Sequence, residues 1–214
     1  MGTDFTGLFN EWAQTYDQTV TGGDIQYKEV FRFYDEILNE VVQHSKGNVV
    51  EFGVGTGNLS KRLLESGLSV TGIEPSIKMR EKAAEKLPAL TLLAGDFLSF
   101  PPLQNDVDSI VSTYAFHHLT DEEKGTAFHL YKELLSKNGR IVFADTTFET
   151  EEKKQQMIQI AEDKGYNRLV EDLRSEFYTT LPTLSQIAED AGFCISFKPL
   201  NQFVWLFVAE KLNK

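Results

Sequence analysis

The sequence predicts an α/β fold of the doubly wound type, in which a mostly parallel seven-stranded sheet carries helices on both faces. Seven short apolar runs alternate with stretches of helical period, and a glycine-rich turn follows the first run. The runs are residues 48–52, 68–73, 90–94, 107–113, 140–144, 193–197 and 203–209. Strand, helix, strand in this order gives right-handed crossovers, and ligands then bind at the carboxyl ends of the strands.

The length and composition predict one compact domain. The chain has 214 residues, of which 41% are hydrophobic, enough for a full core. A formal net charge of -11 disfavours nucleic acid and anionic membranes as partners. The longest apolar run, FVWLFVA, is too short to span a bilayer, and no secretion signal opens the chain. The single cysteine, Cys194, lies in the apolar stretch FCISF, which predicts a buried, inert thiol suited to a cytoplasmic location.

The helical segments have recognisable starts and stops. Apolar residues from Val30 to Val42 at helical spacing predict one helix before the first strand. Ser76 is a predicted N-cap, Thr120 and Glu123 form a predicted capping box, and residues 138–139 (Asn-Gly) predict a left-handed helix stop. A polar segment at about residues 149–176 is predicted to be helical, and a second box is expected at Thr183 and Gln186.

Within the single domain, two segments lie outside the alternating pattern of strands and helices. The first covers about residues 1–45 and is expected to act as an N-terminal lid. The second is a helical insertion at about residues 149–182, between the fifth and sixth predicted strands. The oligomeric state is not predicted by any feature of the sequence.

The stretch VVEFGVGTG places Gly53, Gly55 and Gly57 directly after the first predicted strand. Glycines there let the backbone approach a ligand and let the next helix begin close to the sheet. A tight turn without a ligand is the simpler alternative. The dinucleotide fingerprint requires Gly-x-Gly-x-x-Gly, so the third glycine here is misplaced, and a P-loop is excluded because no Gly-Lys-Ser or Gly-Lys-Thr follows.

Two carboxylates restrict the kind of ligand. Glu51 precedes the glycines at the end of the strand, where it disfavours pyrophosphate and favours a positively charged ligand. Glu74, about 20 residues beyond the glycines, ends the second predicted strand, where a carboxylate can accept from both hydroxyls of a ribose. A ribose without phosphate, combined with a positive charge, describes S-adenosylmethionine.

With these features, the sequence resembles the class I S-adenosylmethionine-dependent methyltransferases, whose hallmark is seen here as EFGVGTG. The segments YDQTV, IQYKEVFR, IEPS, GDFLSFP, STYAFHHLTDEEK and IVFADTTF extend the resemblance to the bacterial YrrT-type methyltransferases over nearly the whole chain. The resemblance implies a Rossmann-like fold, S-adenosylmethionine as cofactor and S-adenosylhomocysteine as product. It implies no particular methyl acceptor.

The resemblance also assigns residues to the cofactor. They are Glu51, Gly53, Gly55, Gly57, Glu74, Asp96, Phe97 and Tyr16. Gly53 and Gly55 would pack under the methionine moiety, with Glu51 near its ammonium group. Asp96 would accept from the adenine amino group with Phe97 beside the ring, unless Asp96 only caps a turn. Tyr16 would fold over the cofactor as part of the lid, with ordinary packing as the alternative.

Methyl transfer needs a general base only if the acceptor carries a proton at neutral pH. The candidates are His117, His118 and Asp145, all expected at strand ends on the cofactor side. In an extended chain the adjacent histidines would point to opposite faces, so at most one is expected to face the pocket and a zinc site is not expected. The alternative for each histidine is a packed, hydrogen-bonded role without catalysis.

The acceptor is expected to bind over the ends of the fourth and fifth strands. Its predicted walls are Tyr114, Phe116 and residues 146–148, with the helical insertion as a cover. Such a small pocket favours a small-molecule acceptor over a macromolecule. The alternative function is a non-catalytic sensor of S-adenosylmethionine or S-adenosylhomocysteine, which would share every cofactor residue. A dinucleotide oxidoreductase is a third hypothesis.

Overall fold

The computed structural model describes residue 14 and residues 16–212, and its central feature is a seven-stranded sheet. The strands are β1 Asn48–Phe52, β2 Ser69–Ile73, β3 Thr91–Leu93, β4 Val107–Thr113, β5 Leu135–Thr146, β6 Phe193–Pro199 and β7 Val204–Lys211. Their order across the sheet is β3-β2-β1-β4-β5-β7-β6. Only β7 runs antiparallel to its neighbours, β5 and β6. The predicted doubly wound, mostly parallel sheet is confirmed.

The helices are α1 Tyr34–His44, α2 Asn58–Glu65, α3 Ile77–Lys86, α4 Asp121–Leu134, α5 Glu151–Asp163, α6 Asn167–Ser175 and α7 Leu181–Asp190. Shorter helical segments span Tyr16–Gln18, Thr19–Gly23 and Phe116–His118. None of the helices in the described part of the chain is long and apolar enough to cross a membrane.

Two apolar clusters fill the space on either side of the sheet. Neighbouring residues of one strand enter different clusters: Val49 packs on one face and Val50 on the other, as do Val111 and Ile110 of β4. This alternation follows from the period of two of a strand. One cluster includes α1, α2, α5 and α6, whereas the other includes α4 and α7.

Two of the predicted helix starts are confirmed. The Ser76 hydroxyl accepts from the backbone N–H of Met79 at 3.2 Å. Thr120 and Glu123 form a reciprocal capping box, each side chain accepting from the other residue's backbone N–H. The two caps lie in the loops that follow β2 and β4, so they also fix where these loops end and the helices begin.

Two helix boundaries differ from the prediction. The first helix begins at Tyr34, not near Val30, because Phe33 has a left-handed backbone with φ +63°. α4 ends at Leu134 and the chain passes directly into β5, so the predicted stop at Asn138-Gly139 is wrong. Gly139 serves close packing: a Cβ there would lie 3.1 Å from the carbonyl oxygen of Val107.

The predicted polar segment is two helices, because Gly165 (φ +68°) ends α5 one turn before α6. The last helix is capped by Thr180, whose hydroxyl accepts from the N–H of Thr183 at 3.4 Å, so the cap predicted at Thr183 is displaced by one turn.

Cys194 is exposed on β6, which contradicts the predicted buried thiol. β6 pairs only with β7 and forms an edge of the sheet, so its outward residues lack cover.

One buried hydrogen bond ties α4 to the turn that follows β3. The hydroxyl of Tyr131, a fully buried residue, donates to the backbone carbonyl of Phe97 at 3.0 Å. Asp96 and Phe97 are thereby anchored to the core although they follow a strand of only three residues. The position of this turn depends on a side chain more than 30 residues away.

Tyr131→Phe is expected to lower the free energy of unfolding by about 1 to 3 kcal/mol, because the buried Phe97 carbonyl loses its donor. In a domain of this size the melting temperature should fall by several degrees. Thermal and urea unfolding measure the change, with Tyr166→Phe, on the partly exposed turn before α6, as the control. Equal stability of Tyr131→Phe and the parent protein would show that the hydrogen bond contributes nothing.

Candidate active site

The turn that follows β1 holds three glycines in conformations that other residues rarely adopt. Gly53, Gly55 and Gly57 have φ values of +69°, +56° and +86°. At Gly53 a Cβ would lie 2.8 Å from the Cβ of Ala115, so the turn packs directly against the segment after β4. At Gly55 a Cβ would meet no atom within 4 Å. The backbone at Gly55 therefore faces open space at the strand ends, where ligands bind in such sheets.

Glu74, directly after β2, joins this turn to the start of α3. Its buried carboxylate accepts from the backbone N–H of Gly55 at 2.9 Å and of Ser76 at 2.8 Å. Burial raises the pKa of Glu74, and the two N–H donors offset that effect only in part. Each carboxylate oxygen keeps a second lone pair, so the group can also accept from ribose hydroxyls. The ribose contact itself stays a prediction.

Glu51, near the end of β1, is 1% exposed and accepts from the Ser60 hydroxyl. Burial raises the pKa of Glu51 to about 8; the Ser60 hydroxyl lowers it in part, and Glu74 raises it further. Burial therefore favours the protonated form of the Glu51 carboxyl group. A cation bound beside Glu51 would favour the ionised form, which suits the predicted ammonium contact.

The structure gives Asp96 and Phe97 roles within the protein. Oδ1 of the exposed Asp96 accepts from the N–H groups of Leu98 and Ser99, both at 2.8 Å, so this oxygen caps a turn. Phe97 is 8% exposed, and its ring stacks on Phe52 with 5.5 Å between centroids. The turn cap was the alternative for Asp96, and its contact with adenine now depends on the second carboxylate oxygen.

The N-terminal segment lies on the glycine turn through Asp17. The Asp17 carboxylate accepts from the Thr56 hydroxyl at 2.6 Å, from the Asn58 amide at 3.1 Å and from the Lys86 ammonium at 3.0 Å. These bonds hold the described start of the predicted lid against α2 and α3. Asp17 was not predicted as a site residue, although it lies in the stretch YDQTV.

Three tyrosines form a cluster above this turn. The hydroxyls of Tyr16 and Tyr34 are hydrogen-bonded to each other, and the rings of Tyr34 and Tyr114 lie 5.7 Å apart. Burial raises the pKa of Tyr16 well above its ordinary value. Tyr16 is thus packed among other residues of the site, which both of its predicted roles allow.

Two buried hydroxyls near the turn fit a polar ligand. Neither Ser112 Oγ nor the Tyr114 hydroxyl has a hydrogen-bond partner among the described residues. Ser112 Oγ would lie 3.9 Å from a Cβ at Gly53, and Tyr114 has a left-handed backbone with φ +54°. Buried polar atoms without partners are uncommon, and a strained backbone occurs often at functional sites. Both residues lie at the end of β4, the strand that pairs with β1.

His117 and His118 lie in the 3₁₀ turn Phe116–His118 after β4. The prediction that they point to opposite faces is wrong, because it assumed an extended chain. Their ring centroids are 4.2 Å apart, on the same side of the turn. The Nδ1–H of His117 donates to Asp145 at 2.6 Å, and that of His118 donates to Glu176 at 2.9 Å. Each imidazole is therefore paired with its own carboxylate.

The two histidines differ in their electrostatics. Burial raises the pKa of Asp145, but His117 and the Thr146 N–H outweigh it and hold this pKa below its usual value. Burial lowers the pKa of His117, and Asp145 outweighs that effect, so the pKa of His117 is raised. Burial and the neighbouring His117 lower the pKa of His118 in spite of Glu176. His117 is thus the more basic imidazole, and His118 favours its neutral form.

The segment that follows α6 passes over the ends of β4 and β5. The Phe177 N–H donates to the His117 carbonyl at 3.1 Å, and the buried Lys124 ammonium donates to the Phe177 carbonyl at 2.7 Å. This path brings Glu176 to His118. Sequence analysis missed Glu176, because no feature of the sequence separates it from the other acids of the polar segment.

Three of the predicted acceptor walls, Phe116, Thr146 and Thr147, line one cavity. It has a volume of about 10 Å³, room for a single water, and its other lining residues are His117, Lys124, Asp145, Thr179, Leu184 and Phe207. Phe116 also packs in the aromatic core, 4.9 Å from the ring of Phe143 between centroids. Tyr114 and Phe148 do not line this cavity, and the acceptor pocket stays a prediction.

Comparisons with known proteins identify the family of the chain. A protein-family model described as a methyltransferase domain matches residues 49–139, from β1 into β5. An uncharacterized methyltransferase of Oceanobacillus iheyensis is 53% identical over 212 residues, which cover 99% of this chain and 100% of the relative. An uncharacterized methyltransferase of Bacillus cytotoxicus is 55% identical over 212 residues, with the same coverage.

Among solved structures, a complex of DhpI with S-adenosylhomocysteine is similar in fold. Its TM-score is 0.72 at 16% sequence identity, and the alignment covers 98% of this chain and 96% of that one. At this identity the similarity concerns the fold alone, whereas the relatives above match more than half of all positions from end to end. The chain therefore belongs to the class I S-adenosylmethionine-dependent methyltransferases.

Proposed function

We propose that the protein transfers the methyl group of S-adenosylmethionine to a small-molecule acceptor and releases S-adenosylhomocysteine. The observation that carries the choice of acceptor is the segment after α6, which covers the ends of β4 and β5 and leaves about 10 Å³ beside His117 and Asp145. A space of this size beneath a segment of the chain suits a small molecule, which can be enclosed once the cover moves, better than a polymer chain. The net charge of -11 argues in addition against nucleic acid.

The cofactor is proposed to lie across the ends of β1, β2 and β3. Its methionine moiety would occupy the open space at Gly55, with the ammonium group beside Glu51. The ribose hydroxyls would donate to Glu74, and the adenine amino group would donate to the second oxygen of Asp96. The Tyr114 hydroxyl, which has no hydrogen-bond partner among the described residues, supports this placement because it can bond to a polar group of the ligand.

The chemistry requires little beyond alignment. A lone pair of the acceptor forms the bond to the methyl carbon while the carbon–sulfur bond breaks, and its electron pair returns to the sulfur, which becomes a neutral thioether. Holding the three atoms in line can lower the barrier by about 7 to 11 kcal/mol. If the acceptor carries a proton, His118 is proposed to accept it, with His117 as the second candidate and Asp145 positioning His117.

Two segments are proposed to close the site. The N-terminal part, about residues 1–45, would cover the cofactor, and Asp17 and Tyr16 support this role by their contacts with the glycine turn and the tyrosine cluster. Residues 1–13 and 15 lie outside the described residues. The insertion at about residues 149–182 would cover the acceptor, as the contacts of Phe177 support.

The proposal is tested by incubating the protein with methyl-labelled S-adenosylmethionine and a fractionated cell extract. Label should appear in a product of low molecular mass. His118→Ala should lower its rate of formation by about a hundredfold to ten-thousandfold, with cofactor affinity nearly unchanged. Label only in protein or nucleic acid would contradict the small-molecule acceptor. No label in any fraction, although the cofactor binds, would favour the sensor.

The cofactor placement predicts a specific effect at Gly55. A Cβ there meets no protein atom but enters the proposed ligand space, so Gly55→Ala should abolish the stabilisation by S-adenosylmethionine. In the parent protein, cofactor at a hundred times its dissociation constant should add about 2.7 kcal/mol, whereas NAD should add nothing. Gly67→Ala is the matched control, since Gly67 also has positive φ (+80°) and open space but lies far from the turn. Thermal shift assays would refute the placement if both variants responded alike.

The raised pKa of Glu51 predicts a pH effect on the ligand-free protein. A carboxyl group whose pKa rises on folding contributes stability below its unfolded pKa, and this contribution is lost as the pH rises through about 8. Glu51→Gln does not titrate, so its stability relative to the parent protein should increase by about 2 to 3 kcal/mol from pH 6 to pH 9. Urea unfolding of both proteins at the two pH values measures this difference. A difference that does not change with pH would show that Glu51 is ionised throughout.

A further inference from the structure

We propose that His117, His118 and Glu176 form a binding site for one divalent transition-metal ion, such as Zn²⁺. Within the described part of the chain, these three residues each offer a ligand atom, and the three atoms lie within 4.8 Å of one another. Two imidazoles and one carboxylate are a ligand set that proteins use for catalytic zinc. The usual metal–ligand bonds of about 2.0 to 2.2 Å require ligand atoms closer together, so the side chains would close by about 1 Å around the ion.

Backbone contacts hold the three ligand residues in place, and an ion between His118 Nδ1 and the Glu176 carboxylate would replace the proton of their hydrogen bond. A 3₁₀ turn has three residues per turn, so His117 and His118 are not forced to opposite sides as in a strand. The Phe177 N–H donates to the His117 carbonyl at 3.1 Å, which fixes the neighbouring Glu176 relative to the turn. Lys124 anchors the same segment at the Phe177 carbonyl. Glu176, directly after α6, is therefore held against the two histidines of the 3₁₀ turn.

Asp145 provides the support that metal-binding histidines usually have. It accepts from the Nδ1–H of His117 at 2.6 Å and from the backbone N–H of His117 at 3.0 Å. A carboxylate that accepts from Nδ1–H leaves the lone pair on Nε2 and fixes the ring, which is the usual environment of a histidine ligand. Asp145 is 3% exposed and is itself held by the Thr146 N–H, so this orientation is rigid.

The charges around the cluster favour a cation. Three carboxylates lie in or beside it: Asp145 next to His117, Glu176 next to His118, and Asp172, which interacts electrostatically with Glu176 and His117. The buried ammonium of Lys124 is paired with Asp121, outside the cluster. An ion bound to neutral imidazoles would balance the remaining charge in a region that is largely removed from water.

Three protein ligands leave a coordination position open for an atom of the acceptor. This role rests on the proposed function: a thiol, hydroxyl or amine at that position would be activated by the ion in place of His118. The metal site itself does not depend on methyl transfer, because binding of the ion is measured without cofactor or acceptor.

The test is a calorimetric titration of the chelator-treated full chain with ZnCl₂, in the absence of S-adenosylmethionine. We expect one Zn²⁺ per chain with a dissociation constant in the micromolar range or below. His118→Ala and Glu176→Gln should each weaken binding by about a hundredfold or more, and Asp145→Asn by about 10- to 100-fold. His129→Ala, an exposed histidine on α4, is the matched control and should bind as the parent does.

Absence of a one-to-one site, or equal binding by the parent protein, His118→Ala and Glu176→Gln, overturns the proposal. Circular dichroism and melting curves check that the variants fold. If His118→Ala is unfolded, Glu176→Gln decides alone, because glutamine keeps the shape and an acceptor for the His118 Nδ1–H but is a poor ligand. A parallel titration with S-adenosylmethionine separates the two proposals, since a lost metal site should leave cofactor binding intact.

Discussion

The carboxylate of Glu74 is the interaction on which the cofactor half of the site depends. It accepts from the N–H of Gly55 in the first loop and from the N–H of Ser76 at the start of α3. The two loops leave the ends of adjacent strands, and neither can satisfy its N–H within its own backbone. A buried donor without a partner costs about 1 to 3 kcal/mol, so one acid side chain fixes the distance between both loops. The left-handed glycines then place open space beside that carboxylate.

Asp145 has the corresponding role on the other side of β1. It ends β5 as Glu74 follows β2, and it also accepts backbone N–H groups, here those of His117 and Thr146. The difference lies in its remaining partner, the imidazole of His117. Glu74 accepts two hydrogen bonds from the protein, so its oxygens can also accept from a ligand. Asp145 accepts a third hydrogen bond, from the imidazole of His117, and stabilises the positive charge of that ring. The same device therefore yields a binding group on one side and a positioning group on the other.

The parts of this fold that depend on local chemistry could be predicted from the sequence. Strands buried on both faces are continuous apolar runs, and the capping box at Thr120 is a local pattern, so both were predicted correctly. Features that depend on long-range contacts could not be predicted from the sequence. Gly139 lies against the backbone of β4, and Cys194 is exposed because β6 is the last strand of the sheet. The pairing of Glu176 with His118 spans 58 positions and needs both the 3₁₀ turn and the path of the insertion.

The N-terminal segment connects the two halves of the site. At one end Asp17 binds the glycine turn through Thr56, and further along the Tyr27 hydroxyl donates to Asp172, one turn before Glu176. Arg168 of α6 adds an ion pair to Asp24 of the same segment, and the pair contributes little because the Arg168 side chain is exposed. A ligand that moves this segment at the glycine turn would therefore also act, through Tyr27 and Asp172, on α6 and on Glu176 directly after it. The proposed closures over the cofactor and over the acceptor would then be coupled, because both depend on contacts of the same N-terminal segment.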